Sequence, residues 1–383
     1  MAERLPPDQL GFRIDSFLDL AGWRVLTVPP ALLSTAVTRC PADNEPLHVL
    51  CTLTGDDGHV RIGCCSECGH VTFIDRPSRD WLDAFYLGIW DGAIERAANA
   101  TPPVASRKPP RLGVQREAVN LALSLPVDRS RPVCEIGSGH GHSLRHLELA
   151  GFSRLVGVEP SEHRAAVARR SFGYDIASAP FEATATQDSL RRAAPYSIIY
   201  SIHALEHTYD PLEVLRCAAS LQDTGDYLVI SVPNLEGEPS VSVLMFIAHA
   251  HAFTPTSLQR VAARAGYTLV DCARTTSLEI TAVFRKAGAS ADTPPNQAAV
   301  NAVDKVIKGL HLNRHYAGAN RLHWSRKSDW AARVGNTSSV EPQPPEGGHG
   351  RTMLVSPLEG RRTDATKSPI EIQFRDGVKL FYK

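Results

Sequence analysis

The chain has 383 residues, 43% of them hydrophobic and 21% charged, with 41 basic and 41 acidic side chains and a formal net charge of zero. That length and apolar content suffice for two or three domains with buried cores. The charge balance excludes a global field steering the protein to nucleic acid or an anionic membrane, and neither is expected as a partner. The opening Met-Ala-Glu-Arg-Leu-Pro-Pro lacks the basic and apolar regions of a secretory signal. The longest apolar run, near Val241 to Ala250, is too short to cross a bilayer, so a cytoplasmic protein is expected.

Residues 1–38 carry a short helical pattern, around Ile14 to Leu26, and no motif. Five of the eight cysteines follow between positions 40 and 68, in Cys40-Pro-Ala-Asp43, Cys51 and Cys64-Cys65-Ser-Glu-Cys68-Gly69. In a reducing compartment such a cluster suggests metal rather than disulfides. Cys65 and Cys68 form a C-x-x-C-G knuckle, two thiolates on one tight turn with a glycine that lets the backbone curl around an ion. The remaining Cys134, Cys217 and Cys272 read as buried small hydrophobes. An aromatic-rich helix with Trp81, Phe85, Tyr86 and Trp90 comes next, then a linker with four prolines between Ala98 and Arg111. A helix over about Val114 to Leu125 leads into the first strand of the main domain.

That strand opens the most informative stretch, Pro132-Val-Cys-Glu-Ile-Gly-Ser-Gly-His-Gly-His142, followed by Leu155-Val-Gly-Val-Glu159. The pattern is strand, glycine turn, helix, and a second strand closing on an acid. Gly137, Gly139 and Gly141 let the backbone turn sharply and approach a ligand. Glu159 stands 20 residues beyond Gly139, the spacing that brings a carboxylate to ribose hydroxyls, so an adenosine-containing ligand is expected. A dinucleotide fingerprint wants a sixth-position glycine where this chain has His142. Glu135, two before the first glycine, would repel a pyrophosphate but suits an ammonium or sulfonium charge.

Here the sequence resembles the class I S-adenosylmethionine-dependent methyltransferases, whose first motif is (D/E)-x-G-x-G-x-G; Glu135, Gly137, Gly139 and Gly141 match it position by position. The resemblance implies that the turn, with Ser138, carries the methionine part of the cofactor and that Glu159, with Pro160, holds the ribose. It continues through the apolar run Tyr196 to Ile202, which ends in His203-Ala-Leu-Glu-His207 and Asp210-Pro211. Next come the strand Asp226 to Val232, a helix from Phe253 through Gly266 capped by Thr254 with Pro255 at its first position, and a closing antiparallel pair, Tyr267 to Ala273 with Leu278 to Phe284. Two positions depart from the pattern. Ser197 stands where the family has Asp, and Ser178-Ala179 precede Pro180-Phe181 where an acid commonly reaches adenine. Adenine recognition then falls to backbone groups and to Phe181 or Glu182.

The cysteine cluster resembles the zinc-ribbon-like module of bacterial sugar and natural-product methyltransferases, C-P-x-C followed some twenty residues later by C-x-x-C-G. The phrase Arg76-Pro-Ser-Arg-Asp-Trp-Leu-Asp-Ala-Phe-Tyr86 after it strengthens the likeness. Where the family has the second cysteine, this chain has Asp43. Asp43 binds zinc through oxygen, or Cys51 or Cys64 supplies the fourth thiolate, or the ribbon is metal-free; Cys40, Cys65 and Cys68 are the firmer ligands.

The expected architecture is α/β: a Rossmann-like seven-stranded methyltransferase sheet over 113–287, preceded by an amino-terminal region (1–97) with the zinc-ribbon-like module at about 38–75 and a linker (98–112). A carboxyl-terminal extension (288–383) follows. In the extension, Gln297 to Ala332 reads as a basic helix, Asn336 to Ser368 as a Pro/Gly/Ser/Thr-rich extended segment, and Pro369 to Tyr382 as a hairpin around Asp376-Gly377. The implied activity is methyl transfer to an oxygen or nitrogen of a small hydroxylated metabolite, such as a sugar. His203, Glu206 and His207 are the catalytic candidates, since histidine is the usual base near neutral pH; by family position His203 also lies nearest the methyl group. His249 and His251 read as pocket-lining or packing residues. One rival is a catalytically silent cofactor-binding protein. Another is a zinc peptidase of the H-x-x-E-H type, spelled by residues 203–207. That motif needs a helix, and here a buried strand runs straight into it.

Overall fold

The computed structural model describes residues 36–55, 58–76, 78–84, 110–236, 249–271 and 279–287, together with four strands of the carboxyl-terminal region. In chain order the elements are β1 (Leu47–Gly55), β2 (Gly58–Cys65), β3 (Val71–Phe73), α1 (Arg79–Ala84), α2 (Arg116–Ser124), β4 (Val133–Ile136), α3 (His142–Leu149), β5 (Leu155–Val158), α4 (Glu162–Phe172), β6 (Asp175–Ala177), α5 (Thr184–Arg191) and β7 (Ile198–Ile202). A 3₁₀ turn (Leu205–His207) precedes α6 (Pro211–Ser220), β8 (Tyr227–Pro233), β9 (His251–Ala252), α7 (Pro255–Arg264), β10 (Tyr267–Asp271) and β11 (Glu279–Lys286). The last four strands are β12 (Arg321–Trp324), β13 (Thr352–Ser356), β14 (Ile370–Phe374) and β15 (Lys379–Tyr382).

Seven strands form one sheet in the order β10-β11-β8-β7-β4-β5-β6, parallel except for β11, which runs antiparallel to both its neighbours. This is the seven-stranded methyltransferase sheet. β4 and β7 are buried along their whole length, so both faces must be apolar. Cys134, Ile136 and Ile199 pack under α6 and α7 through Leu215, Leu258 and Val261. On the other face Val133, Ile198 and Tyr200 pack under α2, α3 and α4 through Val119, Leu144 and Ala165. From β4 the chain winds outward to β5 and β6, then returns and winds the other way through β7 and β8. The strand order therefore reverses between β4 and β7, where ligands of open α/β sheets bind at the carboxyl ends.

A second, eight-stranded sheet has the order β12-β13-β15-β14-β1-β2-β3-β9. Its middle is the cysteine module. One edge is continued by the carboxyl-terminal strands, with β14 antiparallel to β1 through pairs such as Cys51↔Phe374. The other edge is closed by β9, which belongs to the main domain and pairs antiparallel with β3 (Val71↔Ala252, Thr72↔His251). The cysteine module and the carboxyl-terminal strands thus share one sheet. Arg321–Trp324 is a strand where a basic helix was expected, and Thr352–Ser356 is a strand within the segment read as extended; the rest of those two segments lies outside the described residues. So do the helical pattern at Ile14 to Leu26, the aromatic residues Phe85, Tyr86 and Trp90, most of the linker, and Cys272. Cys134 is buried, whereas Cys217 is only half-buried.

Thr254 caps α7 as the sequence implies, accepting from Ser257 N while Ser257 Oγ accepts from Thr254 N, with Pro255 at the first position. The same hydroxyl donates to the carbonyl of Cys68, 2.6 Å away, and so pins the module to the helix start. Thr254→Ala removes the cap and the cross-link together. It is expected to cost roughly 2 kcal/mol, about one for each interaction, measured by urea unfolding; a loss within error of zero would show that this contact does not hold the module.

Candidate functional site

The glycine turn follows β4 directly. The amides of Gly137 and Ser138 donate to the carbonyl of Val158 on β5, and the amide of Gly141 donates to that of Ser138, closing the turn into α3. Gly137 has φ +74°, and a Cβ there would stand 2.5 Å from the Cβ of Ala204, so the position tolerates only glycine. Gly139, at φ +52°, faces open space, with no heavy atom within 4 Å of where a Cβ would be. Glu159, almost fully buried, bridges the two turns: one carboxylate oxygen accepts from Gly139 N at 2.7 Å, the other from Ser161 N at 3.0 Å. Ser161 caps α4 by accepting from Arg164 N.

Glu135 lies beneath this turn rather than in it. Its carboxyl is 1% exposed and accepts from the hydroxyls of Ser143 on α3 and, at 3.0 Å, Tyr200 on β7. Burial pushes its pKa up to about 8, although the two hydroxyls favour the charge. Phe181 is a core residue, 3% exposed, its carbonyl bonded by Gln187. Glu182, the other residue expected near adenine, is bound by Arg79 of α1 at 2.8 Å. Pro160 is half-buried.

Opposite the glycine turn, β7 ends at His203, which adopts φ +51°, a left-handed conformation uncommon for a residue with a side chain. Its Nδ1 stands 3.4 Å from Glu206 Oε1, and its Nε2 stands 2.8 Å from Glu279 Oε2 on β11, as ion pairs without hydrogen-bond angles. Burial opposes charge on this imidazole, yet the two carboxylates outweigh it and push its pKa up to about 10. Glu206 is itself 1% exposed. Burial would raise its pKa, but His207, His203 and His249 pull it down to about 2. The ring of His249 sits edge-on to that of His207, with centroids 4.5 Å apart. His251 is buried elsewhere, its Nδ1 3.1 Å from His70 Nε2 of the module. Residues 205–207 form a single 3₁₀ turn, so the two-turn helix of an H-x-x-E-H peptidase is not formed. A groove of about 560 Å³ lies beside Glu279 and Thr281, walled by Val114, Glu117, Asn120 and Leu121.

The cysteine cluster brings Cys40, Asp43, Cys65 and Cys68 together with all ligand atoms within 4.8 Å of one another. Two matching knuckles make it. The Cys40 and Cys65 amides donate to the carbonyls of Glu45 and His70, and the Asn44 and Gly69 amides donate back to Cys40 and Cys65. Asn44, at φ +66°, takes the left-handed position that Gly69 takes in the second knuckle. Cys40 and Cys68 sulfurs are 3.6 Å apart, close to the edge of about 3.8 Å for a tetrahedron with metal–sulfur bonds of about 2.3 Å. Cys65 Sγ is 3.4 Å from both oxygens of Asp43. Cys64 points away, its sulfur on the Cys65 carbonyl; the side chain of Cys51 is outside the described residues. Arg260 of α7 binds Asp43 at 2.8 Å and Arg264 donates to the Pro41 carbonyl at 2.7 Å.

Two site neighbours carried no signal in the sequence: Glu279, which reaches His203 only because β11 pairs with β8, and Asn44. Further contacts tie the module to the site. Arg76 donates to the Tyr209 carbonyl, and the guanidinium groups of Arg76 and Arg79 lie over the Tyr209 ring.

Residues 111–271 match the family model described as a methyltransferase domain. A ubiquinone biosynthesis O-methyltransferase of Bordetella bronchiseptica is 25% identical over 167 residues, covering 42% of this chain. The chain spans 62% of that relative's length. Among solved structures, the CcbJ methyltransferase of Streptomyces caelestis is similar over 51% of this chain and 96% of its own, at 18% identity and TM-score 0.39. An S-adenosylmethionine-dependent methyltransferase of Mesorhizobium loti is similar over 45% and 100%, at 15% identity and TM-score 0.36. The strand order, glycine turn and family match define a class I methyltransferase domain. The methyltransferase family implies S-adenosylmethionine as the cofactor. No helix among the described residues is long and apolar enough to cross a membrane.

The pKa of Glu135 yields a signed expectation. A carboxyl raised from 4.5 to about 8 binds its proton more tightly in the folded state, so its contribution is full below pH 4.5 and is lost as pH rises through about 8. Glu135→Gln cannot titrate. The mutant should therefore gain stability relative to wild type between pH 5 and 8, by at most about 1.4 kcal/mol per pH unit. Parallel urea-unfolding curves at pH 5, 6.5 and 8 with a constant difference would contradict this.

Proposed function

We propose that this protein transfers a methyl group from S-adenosylmethionine to an oxygen, or a nitrogen, of a small hydroxylated metabolite, sugars included. The observation that carries the reading is the facing arrangement at the sheet reversal. An open glycine turn bridged to Glu159 stands on one side of the crevice, and the His203–Glu206–His207 turn stands on the other. The residues fit the cofactor: Gly139 offers a backbone surface that a Cβ would obstruct, and Glu159 already receives amide hydrogen bonds that ribose hydroxyls would share. Gly137, Ser138, Gly139 and Gly141 would hold the methionine portion, with Glu135 supporting the turn from below. Glu159 and Pro160 would hold the ribose, and Phe181 the floor near adenine.

When bound, the cofactor supplies an electrophilic methyl, so the protein's task is to align the acceptor and manage its proton. His203, a cation between Glu206 and Glu279, is a poor proton acceptor at neutral pH and serves to orient the acceptor. Activation of the acceptor falls to the Glu206–His207 pair. The groove beside Glu279 admits a metabolite-sized acceptor, and the O-methylating Bordetella relative favours oxygen as the atom methylated. Cys40, Asp43, Cys65 and Cys68 would hold a structural zinc. A cytoplasmic setting would keep those thiols reduced and available to the metal.

Glu159→Ala should weaken S-adenosylmethionine binding by roughly 1–3 kcal/mol in calorimetry, the range for leaving hydroxyls unpaired. Wild type that binds neither this cofactor nor its demethylated product sinks the proposal. Purified protein should also contain about one zinc per chain by elemental analysis, with Cys65→Ser losing the metal and melting at lower temperature. Metal-free wild type with an unchanged melting temperature would remove the zinc assignment while leaving the methyltransferase reading intact.

A further inference from the structure

At the carboxyl end of β7 the chain makes its left-handed turn at His203 and then the 3₁₀ turn that presents Glu206 and His207. His249 arrives from a different part of the chain, in the segment leading into β9. That segment is fixed by the module: the hydroxyl of Thr72 donates to the Ala250 carbonyl at 2.7 Å, and the next residues pair with β3. One carboxylate and two imidazoles converge as a result, with a ligand atom from each lying within 4.8 Å of the others. The nearest measured pair, His207 Nε2 and Glu206 Oε1, is 3.8 Å apart. Ligands about 2.1 Å from a shared ion stand about 3.0–3.5 Å apart, so the closest pair needs a contraction of a few tenths of an ångström, and the widest, bounded at 4.8 Å, at most about 1.8 Å.

A second observation points to a ligand. Neither oxygen of Glu206 accepts a hydrogen bond from any described residue, although the side chain is 1% exposed. A buried carboxylate in that condition is costly unless a cation accounts for it. The imidazole of His203 compensates one oxygen in part from 3.4 Å, but its other nitrogen is committed to Glu279. Two carboxylates, Glu206 and Glu279, thus face the one ring of His203, and Glu206 lies beside the ring of His207, which is edge-on to that of His249.

We propose that Glu206, His207 and His249 bind a first-row divalent cation of the Mn²⁺ to Zn²⁺ series, whose open positions take an oxygen of the acceptor. The donor set selects the class of ion. Imidazole with a carboxylate suits Mn²⁺, Fe²⁺, Co²⁺ and Zn²⁺, whereas Mg²⁺ and Ca²⁺ want oxygen ligands throughout. Three protein ligands leave coordination positions free, and a hydroxyl bound there gives up its proton to water more readily. The cation would then do the activating work assigned above to the Glu206–His207 pair. That role rests on the methyl-transfer reading; the binding site itself does not. His203 is left outside the coordination sphere, which separates this site from the H-x-x-E-H peptidase pattern.

Mn²⁺ distinguishes this site from the thiolate cluster, which favours zinc. Full-length protein carrying its cysteine-bound zinc is stripped with a weak chelator and titrated with Mn²⁺, free Mn²⁺ being read by electron paramagnetic resonance. Wild type should take up about one Mn²⁺ per chain, and His249→Ala and Glu206→Gln should each weaken uptake roughly tenfold or more, as expected for loss of a ligand. A wild type that takes up no Mn²⁺, or a His249→Ala protein with wild-type affinity, overturns the proposal. Should a variant fail to fold, the Co²⁺ spectrum of wild type decides. A second Co²⁺ equivalent without thiolate charge-transfer absorption supports the site, and the lack of any such equivalent overturns it. Calorimetry with S-adenosylmethionine on the metal-free protein is run separately, so that failure of cofactor binding and failure of metal binding are told apart.

Discussion

The parallel pairing of β4 with β7 is the constraint on which the site depends. Its register sets Glu135 beside Tyr200 and Ile136 beside Ser201, and so brings the ends of the two strands level. The turn after β4 and the turn after β7 then emerge side by side, close enough that a single methyl on Gly137 would overlap Ala204. The left-handed backbone conformations of the site, at Gly137, Gly139, Gly141 and His203, follow from these abrupt exits. They persist because the strands beneath are buried on both faces and have no room to adjust.

The module is a wall of the same site rather than an appendage. It supplies Thr72 and β3 to fix the segment carrying His249, Arg76 and Arg79 to hold Tyr209 just beyond His207, and the Cys68 carbonyl to accept from Thr254, the cap of α7. Asp43 has two duties that a cysteine in its place could not combine. It faces Cys65 within the cluster and also receives the guanidinium of Arg260. Its carboxylate links the cysteine knuckle electrostatically to α7, where a thiolate would have offered a weaker acceptor to the same arginine.

Local features of the sequence were the legible ones. The glycine motif and the acid at the end of β5 lie in one strand–turn–helix–strand unit, and the Thr254-Pro255 helix start is fixed by Ser257 three residues on, so pattern and structure agree there. Glu279 was not legible: it is a single acid at the start of a strand without a motif, and only the antiparallel insertion of β11 beside β8 carries it to His203. Asn44 was hidden because its left-handed conformation serves a knuckle in which Asp43 stands where the C-P-x-C pattern has its second cysteine. His249 looked like packing for the same reason, since its closeness to Glu206 depends on β9 pairing with a strand some 180 residues earlier. Of the carboxyl-terminal strands, β14 and β15 form the antiparallel pair expected around Asp376-Gly377, whereas β12 stands where a basic helix was expected, because charge says little about a segment that completes a distant sheet edge.

That completed edge bears on how the chain is made. β1 and β14 are neighbours in the sheet yet lie more than 300 residues apart in the sequence, so β1 leaves the ribosome long before its partner exists. Through most of synthesis its outer row of amides and carbonyls is an open template for any other extended chain. Closing so long a loop is also among the slower steps available to a folding polypeptide. The nascent protein is therefore most exposed to misassembly at the very module that anchors its active site. A chaperone or a slow final stretch of translation would act to greatest effect there.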